Sequence, residues 1–303
     1  MIPDGIGVID LMMGTRAGPA AQSQYGFMRR GLKDEGSKGM NFPAQYMFRD
    51  VPYSDQARDA DRQPKEEPAS GAALLLPHMD RHGVERAMIG VGPDHSEAQA
   101  CLTDHPDRFF GSYQVDPNRG MEGVRELVQM HDEWGIKAAT AFPAGYLPQV
   151  PIADRRMYPF YAKCVELDIP ICIGAGVPGP RLPMDCQKVE QLDEVCYDFP
   201  ELRIVTRHGC EPWTELAVKL MLKWPNLYYS TSAFAPKYYP RDVIDYANTR
   251  GAEKVLYAGY FPMGLSLDRI FSELPDVPLR EDVWPKFLRD NALRVFGLEG
   301  AAA

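Results

Sequence analysis

The sequence predicts an α/β fold, a closed (β/α)8 TIM barrel with a long insertion after its first strand. Eight short apolar runs recur along the 303 residues, with amphipathic helical patterns between them. The runs are rich in Val, Ile, Tyr and Ala and lack strict alternation, as strands buried on both faces do. No glycine-rich dinucleotide fingerprint follows the first run, which sets an open doubly wound sheet second.

The candidate strands begin with GIGVIDLMM from Gly5. About seventy residues then pass before the next one, ERAMIGV from Glu85, where a barrel repeat averages roughly thirty. This insertion, residues 15–70, carries an aromatic segment from Phe42 to Tyr53 and a polar return from Asp55 to Pro68. Leaving the carboxyl end of the first strand, it is expected to serve as a lid or an oligomerisation arm over the barrel mouth. The remaining strands are FFGSYQV from Phe109, IKAATAF from Ile136, IPICIGAG from Ile169, LRIVTRHG from Leu202, NLYYSTS from Asn226 and KVLYAGYF from Lys254. Helical patterns start at Met121, Arg156, Lys188 and Trp213, the last setting Leu216 and Leu220 against Lys219 and Lys223. Pro212 is expected at the first position of that helix. The segment from Val283 reads as a final amphipathic helix closing the barrel. Residues 1–298 thus form one barrel domain, and 299–303 a frayed tail.

Composition narrows the function. A net charge of −9 argues against a nucleic-acid binder, because neutralising phosphates needs a cationic face. No apolar run approaches the ~20 residues needed to span a bilayer, and no signal peptide is visible. The six cysteines form no CxxC pair and read as reduced thiols of a cytoplasmic protein.

Chemistry in a barrel sits at the carboxyl ends of its strands. His208 is the leading candidate, as a general acid/base with Glu211 setting its tautomer, or else as a histidine hydrogen-bonded inside a filled mouth. Lys137, read at the end of the fourth strand, and Arg49, in the insertion, are candidates to hold a substrate carboxylate, against salt-bridge and solvated-loop alternatives. Trp213, Tyr229 and Tyr260 are candidate substrate contacts within an aromatic sector around strands seven and eight. That sector lines a pocket, fills a cavity or forms an interface. Cys172 and Cys210 read as small buried residues. The remaining histidines show no convergent pattern, and His78 with His82 lacks the glutamate of a zinc motif.

At these strand ends the sequence resembles the amidohydrolase-related proteins of the metal-dependent hydrolase superfamily, in the branch that includes aminocarboxymuconate semialdehyde decarboxylase. VIDLMMG stands where that family has D-x-H-x-H, PICIGAG where a strand ends in His, and RIVTRHGCEPW where a strand ends in H-G-G before Pro-Trp. VLYAGYFPMG stands for G-T-D-Y-P, and FLRDNALRVFGL for the closing helix, while GVERAMIGV and HPDRFFGSYQVDP fit early strands. The resemblance runs from Ile6 to Leu298 and implies a (β/α)8 barrel with a catalytic divalent metal. Yet the positions it assigns to the metal ligands hold Met12, Gly14, Gly174 and Tyr260. Two glycines offer no ligand, and a thioether is a poor one for a hard or borderline ion. His208 matches the family's sixth-strand histidine. The expectation is therefore no metal and no other cofactor.

Three functions follow as expectations. One is a metal-free partner subunit of a metal-bearing amidohydrolase homologue in small-molecule catabolism, in a homo- or hetero-oligomer. Another is a metal-independent hydrolase or decarboxylase of a small carboxylated metabolite using His208. The third is a small-molecule binding protein.

Overall fold

Each of the eight apolar runs contains one strand, and the strands pair in chain order, all parallel. They are β1 (Val8–Met13), β2 (Val84–Gly90), β3 (Phe109–Gln114), β4 (Ala138–Ala141), β5 (Ile171–Gly174), β6 (Ile204–Arg207), β7 (Leu227–Ser230) and β8 (Val255–Leu256). A parallel bridge between Met13 and Phe261 returns the eighth strand to the first and closes the ring. The computed structural model describes residues 3, 5–15, 70–263 and 265–299. Arg49, the segment Phe42 to Tyr53, nearly all of the 15–70 insertion and the 300–303 part of the tail lie outside the described residues.

The helices outside the ring are α1 (Gly71–Arg81), α2 (Ser96–Asp104), α3 (Met121–Trp134), α4 (Tyr158–Glu166), α5 (Gln191–Asp198), α6 (Thr214–Lys223), α7 (Arg241–Ala247) and α8 (Leu267–Glu273). α3 shows why the pattern from Met121 forms a helix. Val124, Leu127 and Met130 recur on one buried stripe, and Gly135, left-handed at φ 57°, ends it by donating its N–H to His131 O. α6 starts later than its sequence pattern. Pro212 lies two residues before it, and Trp213 rather than Pro212 forms its boundary.

Strand alternation explains the absence of a simple polar–apolar pattern. Ile204 faces the helices while Val205 faces the barrel axis, and the same parity puts Ile171 outside and Cys172 inside. Both faces are apolar because both are covered. The inner core of Ile9, Leu11, Met88, Phe110, Val205 and Leu256 is stoppered at the amino-terminal end by Ala292, Val295, Phe296 and Leu298. The closing segment expected from the sequence is thus present. It consists of a π-helical stretch, Lys286–Asp290, running into α9 (Asn291–Val295). Asn291 anchors it, donating from Nδ2 to Ala252 O at 2.8 Å and Val255 O at 2.9 Å. Lys254 secures the same end of the barrel through Trp224 O and Leu227 O, its charge lying over the Tyr228 ring.

The seam between β1 and β8 is held by a side chain. The register of β1 shifts between Asp10 and Met13. Asp10 Oδ1 accepts the N–H groups of Gly259 at 2.8 Å and of Met12 at 2.9 Å, one from each side of the seam. The carboxyl is completely buried. Its Oδ2 and the neighbouring Tyr257 hydroxyl each lack a well-formed hydrogen bond. Burial pushes Asp10 up to about 6, against the lowering effect of those two N–H donors.

Candidate active site at the barrel mouth

Parity along the strands decides which side chains reach the mouth. Counting inward from Met88, Phe110, Ala138, Cys172 and Val205 puts Gly90, Ser112, Thr140, Gly174 and Arg207 at the carboxyl ends, facing the axis. A cleft of about 540 Å³ opens there, within the range of small-molecule sites. Met12, Met88 and Met263 give it an apolar wall, Ser112 and Thr140 add hydroxyls, and Arg207, Arg119, Asp94, Asp116 and His95 bring charge or a titratable ring.

The two arginines differ in kind. Arg119 is engaged by Glu122 at 3.0 Å and by Glu126, and Glu126 also accepts from the Tyr113 hydroxyl at 2.8 Å. Arg207 reaches across the mouth from β6 to β1, where its Nη2 donates to Leu11 O at 3.4 Å. It also touches the buried Cys172 beneath it, and no carboxylate among the described residues pairs with it. His95 is turned inward by its Nδ1 contact with Gly90 O at 3.2 Å, and burial lowers its basicity.

The resemblance to the amidohydrolase-related proteins assigns the ligands of a divalent ion to Gly174, Gly14, Met12 and Tyr260. A Cβ at Gly174 would sit 3.4 Å from Gln187 Oε1 and 3.6 Å from Phe142. Gln187 is itself fixed there, accepting from Ala144 N and donating to Gly176 O. A Cβ at Gly14 would meet Met263 Sδ at 3.3 Å. Met12 contributes a thioether, and Tyr260 lies edge-on to the His208 ring at 5.6 Å. Arg207 is the strand neighbour of Gly174, and its guanidinium lies in the same mouth, where its charge opposes a bound cation. Among the described residues no three His, Cys, Asp or Glu side chains converge. These residues do not fit a mononuclear divalent ion.

His208 closes β6 on a left-handed turn, with φ of 64°, 87° and 58° at His208, Gly209 and Cys210. Such angles at non-glycine residues cost about 1–3 kcal/mol each and persist only where the surroundings impose them. Here Ser232 Oγ accepts the His208 N–H at 3.1 Å and meets its Nδ1 at 3.3 Å, while Tyr229 donates its hydroxyl to Gly209 O. Burial, and then the Arg207 charge, push the imidazole down to about 3. His208 is therefore a neutral ring at physiological pH. Ser232, not Glu211, is the residue against it, and Glu211 is exposed.

The other expected contacts fall elsewhere. Lys137 precedes β4 and so lies at the amino-terminal end of the barrel, away from the cleft; Thr140 is the fourth-strand residue that reaches it. Tyr229, Tyr239 and Tyr257 pack outward between sheet and helices, the last two against Phe287, so these three are core and not a pocket wall, whereas Tyr260 stays beside His208. Trp213 packs half-buried against the same outer core. Cys172 and Cys210 are buried, and burial raises both thiols, Cys210 to about 12. Arg207 and His95 were missed by sequence reading. Arg207 was legible, since it stands two residues after Val205 in IVTRHG and shares its inward face; His95 lies in a loop, where no period applies.

A parallel barrel with its cleft at the carboxyl ends of the strands, a histidine directly after β6 and a plugged floor defines a TIM-barrel protein. The chain belongs to the amidohydrolase family, whose sequence pattern matches residues 42–298. Over 136 residues it is 29% identical to a 2-keto-4-carboxy-3-hexenedioate hydratase from a Sphingobium species, a match spanning 37% of this chain and 40% of that protein. In structure it is similar to an uncharacterized TIM-barrel protein from Bordetella bronchiseptica, with a TM-score of 0.71, 21% identity and 96% and 98% of the two chains covered. It is likewise similar to 5-carboxyvanillate decarboxylase from Sphingomonas paucimobilis, at a TM-score of 0.66, 14% identity and 97% and 99% coverage. At these identities the solved structures share the fold. Among the described residues no helix is long and apolar enough to cross a membrane.

Proposed function

We propose that this chain is a metal-free member of the amidohydrolase family that serves small-molecule catabolism as the partner subunit of a metal-bearing homologue. The observation that carries the reading is the Gly174–Arg207 register pair: beside the glycine at an expected ligand position stands an arginine whose side chain lines the same mouth. The tight contact of Met263 on Gly14 supports it, as does the neutral His208, which no carboxylate among the described residues orients. The barrel itself is complete, down to its plugged floor. Purification from the source cell with metal analysis tests the reading. It predicts a complex in which the metal travels with the other chain. Stoichiometric metal on this chain, or full turnover by this chain alone, overturns it.

A second reading has one observation in its favour. His208 remains at the end of β6, oriented by Ser232 and flanked by Tyr260, which is the placement of an acid/base in a metal-independent hydrolase or decarboxylase. Under it, His208→Ala abolishes turnover by the isolated chain; under the partner reading the isolated chain has no turnover to lose.

A further inference from the structure

We propose that the outer face of α3 is a self-association surface, on which a second copy of this chain packs antiparallel, with Arg125 of each copy against Glu133 of the other. The contact lies on the flank of the barrel and stands whether or not a metal-bearing homologue joins the assembly.

The face is defined by what the core leaves over. α3 turns Gly123, Val124, Leu127 and Met130 inward. Arg125, Gln129 and Glu133 then stand four residues apart on the other side, stacked in one row about 12 Å long. All three are exposed, and among the described residues none of their side chains takes part in an ion pair or a hydrogen bond. The neighbouring Glu122 and Glu126 are different, since Arg119 already holds both. The row reads cation, amide, anion, with Gln129 at its centre. A two-fold axis at Gln129 therefore sets Arg125 against Glu133 twice and brings the two amides together, each able to donate and to accept. A parallel pairing would instead put like charges opposite one another. Beside the row lies a groove of about 640 Å³ between α3 and α4, lined by Val124, Val128 and Met121, the last 57% exposed. A row of side chains at a spacing of four is the ridge that seats in such a groove. Asp132 borders the groove at its acidic end, while Lys163 across it is paired with Glu166. At a net charge of −9 two copies repel overall, so association needs a locally complementary face of this kind. One helix face is smaller than the roughly 800 Å² per partner of a standard interface, so the dimer is weak and reversible.

Sedimentation velocity of the full chain over a concentration series, at low and at high salt, tests this. A reversible dimer is expected, loosening as salt rises. Arg125→Glu and Glu133→Arg each set like charges against one another twice, and each is expected to weaken the dimer at least about 10-fold. The double variant Arg125→Glu/Glu133→Arg is expected to regain it, because opposite charges face each other again. An equimolar mixture of the two single variants is expected to do the same, and recovery there shows that both variants are folded. A wild-type chain that stays monomeric at every concentration, or a dimer that both reversals leave unchanged, overturns the proposal. Loss in the single variants with no recovery in the double variant or the mixture overturns it too. None of these outcomes depends on metal content, so the metal-free reading stands or falls separately.

Discussion

Asp10 offers the sharpest quantitative check on the barrel seam. Its carboxyl is completely buried, and burial pushes it from an ordinary 3.8 to about 6. The native state therefore holds the Asp10 proton more tightly than the unfolded chain does. Between those two values the folded protein binds more protons, so stability falls as pH rises, and above about 6 the full cost of ionisation is present. At roughly 1.4 kcal/mol per pK unit, that cost is about 3 kcal/mol. Asp10→Asn keeps an oxygen for the N–H groups of Met12 and Gly259 and removes the charge, with its new N–H₂ facing the Tyr257 hydroxyl. The stability of the Asn variant minus that of wild type, from urea unfolding, is expected to rise by about 3 kcal/mol between pH 4 and pH 7.5. Taken as about 2 °C per kcal/mol, the melting temperatures should separate by about 6 °C over the same interval. A difference that does not vary with pH would refute a buried, ionisation-limited Asp10. A difference of opposite sign would mean that the seam is held by the charge itself.

Other outcomes follow from the same structure. The imidazole of His208 should show no titration between pH 5 and 8 when its ring carbon is followed by NMR; because its folded value is depressed to about 3, its contribution to stability should be lost as pH falls below the ordinary 6.5. A midpoint near 6.5 would show that neither desolvation nor the Arg207 charge acts on the ring. Gly176→Ala puts a Cβ 2.7 Å from Glu211 O at a φ of +100°, and should cost about 3 kcal/mol or more by thermal denaturation. Phe296→Ala opens the floor of the inner core, where the ring is 2% exposed and packs on Phe110, and a loss of about 3–5 kcal/mol is expected in the same assay. A loss under 1 kcal/mol would mean the floor relaxes around the gap.

The strands were legible because parallel strands in a barrel bury both faces, and that leaves dense apolar runs such as ICIG and LYYS. The helix from Met121 to Trp134 was legible to its last residue because Gly135 supplies the left-handed stop that its sequence pattern requires. The site was less legible, for two reasons. A strand-end residue has to be assigned to one face, and reading His208 as the end of β6 passed over Arg207, the residue that shares the inward parity of Val205. Lys137 was assigned to the wrong end because β4 is only four residues long and begins after it. The tyrosines around β7 and β8 could not be divided between pocket and core, since an aromatic pattern has the same appearance whether helices or a ligand cover it.

The sequence alone determined the closed barrel and the family plan, because hydrophobic runs and strand-end motifs are local properties written residue by residue. The resemblance to the amidohydrolase-related proteins also assigns Met12, Gly14, Gly174 and Tyr260 to the positions of that family's metal ligands. What those positions hold instead was decided only in three dimensions. Met263 packs against Gly14 from far along the chain, Ser232 rather than Glu211 meets His208, and Arg207 crosses the mouth to Leu11. Each of these depends on how distant strand ends are brought round a ring. Closure fixes those distances, and no local pattern encodes them.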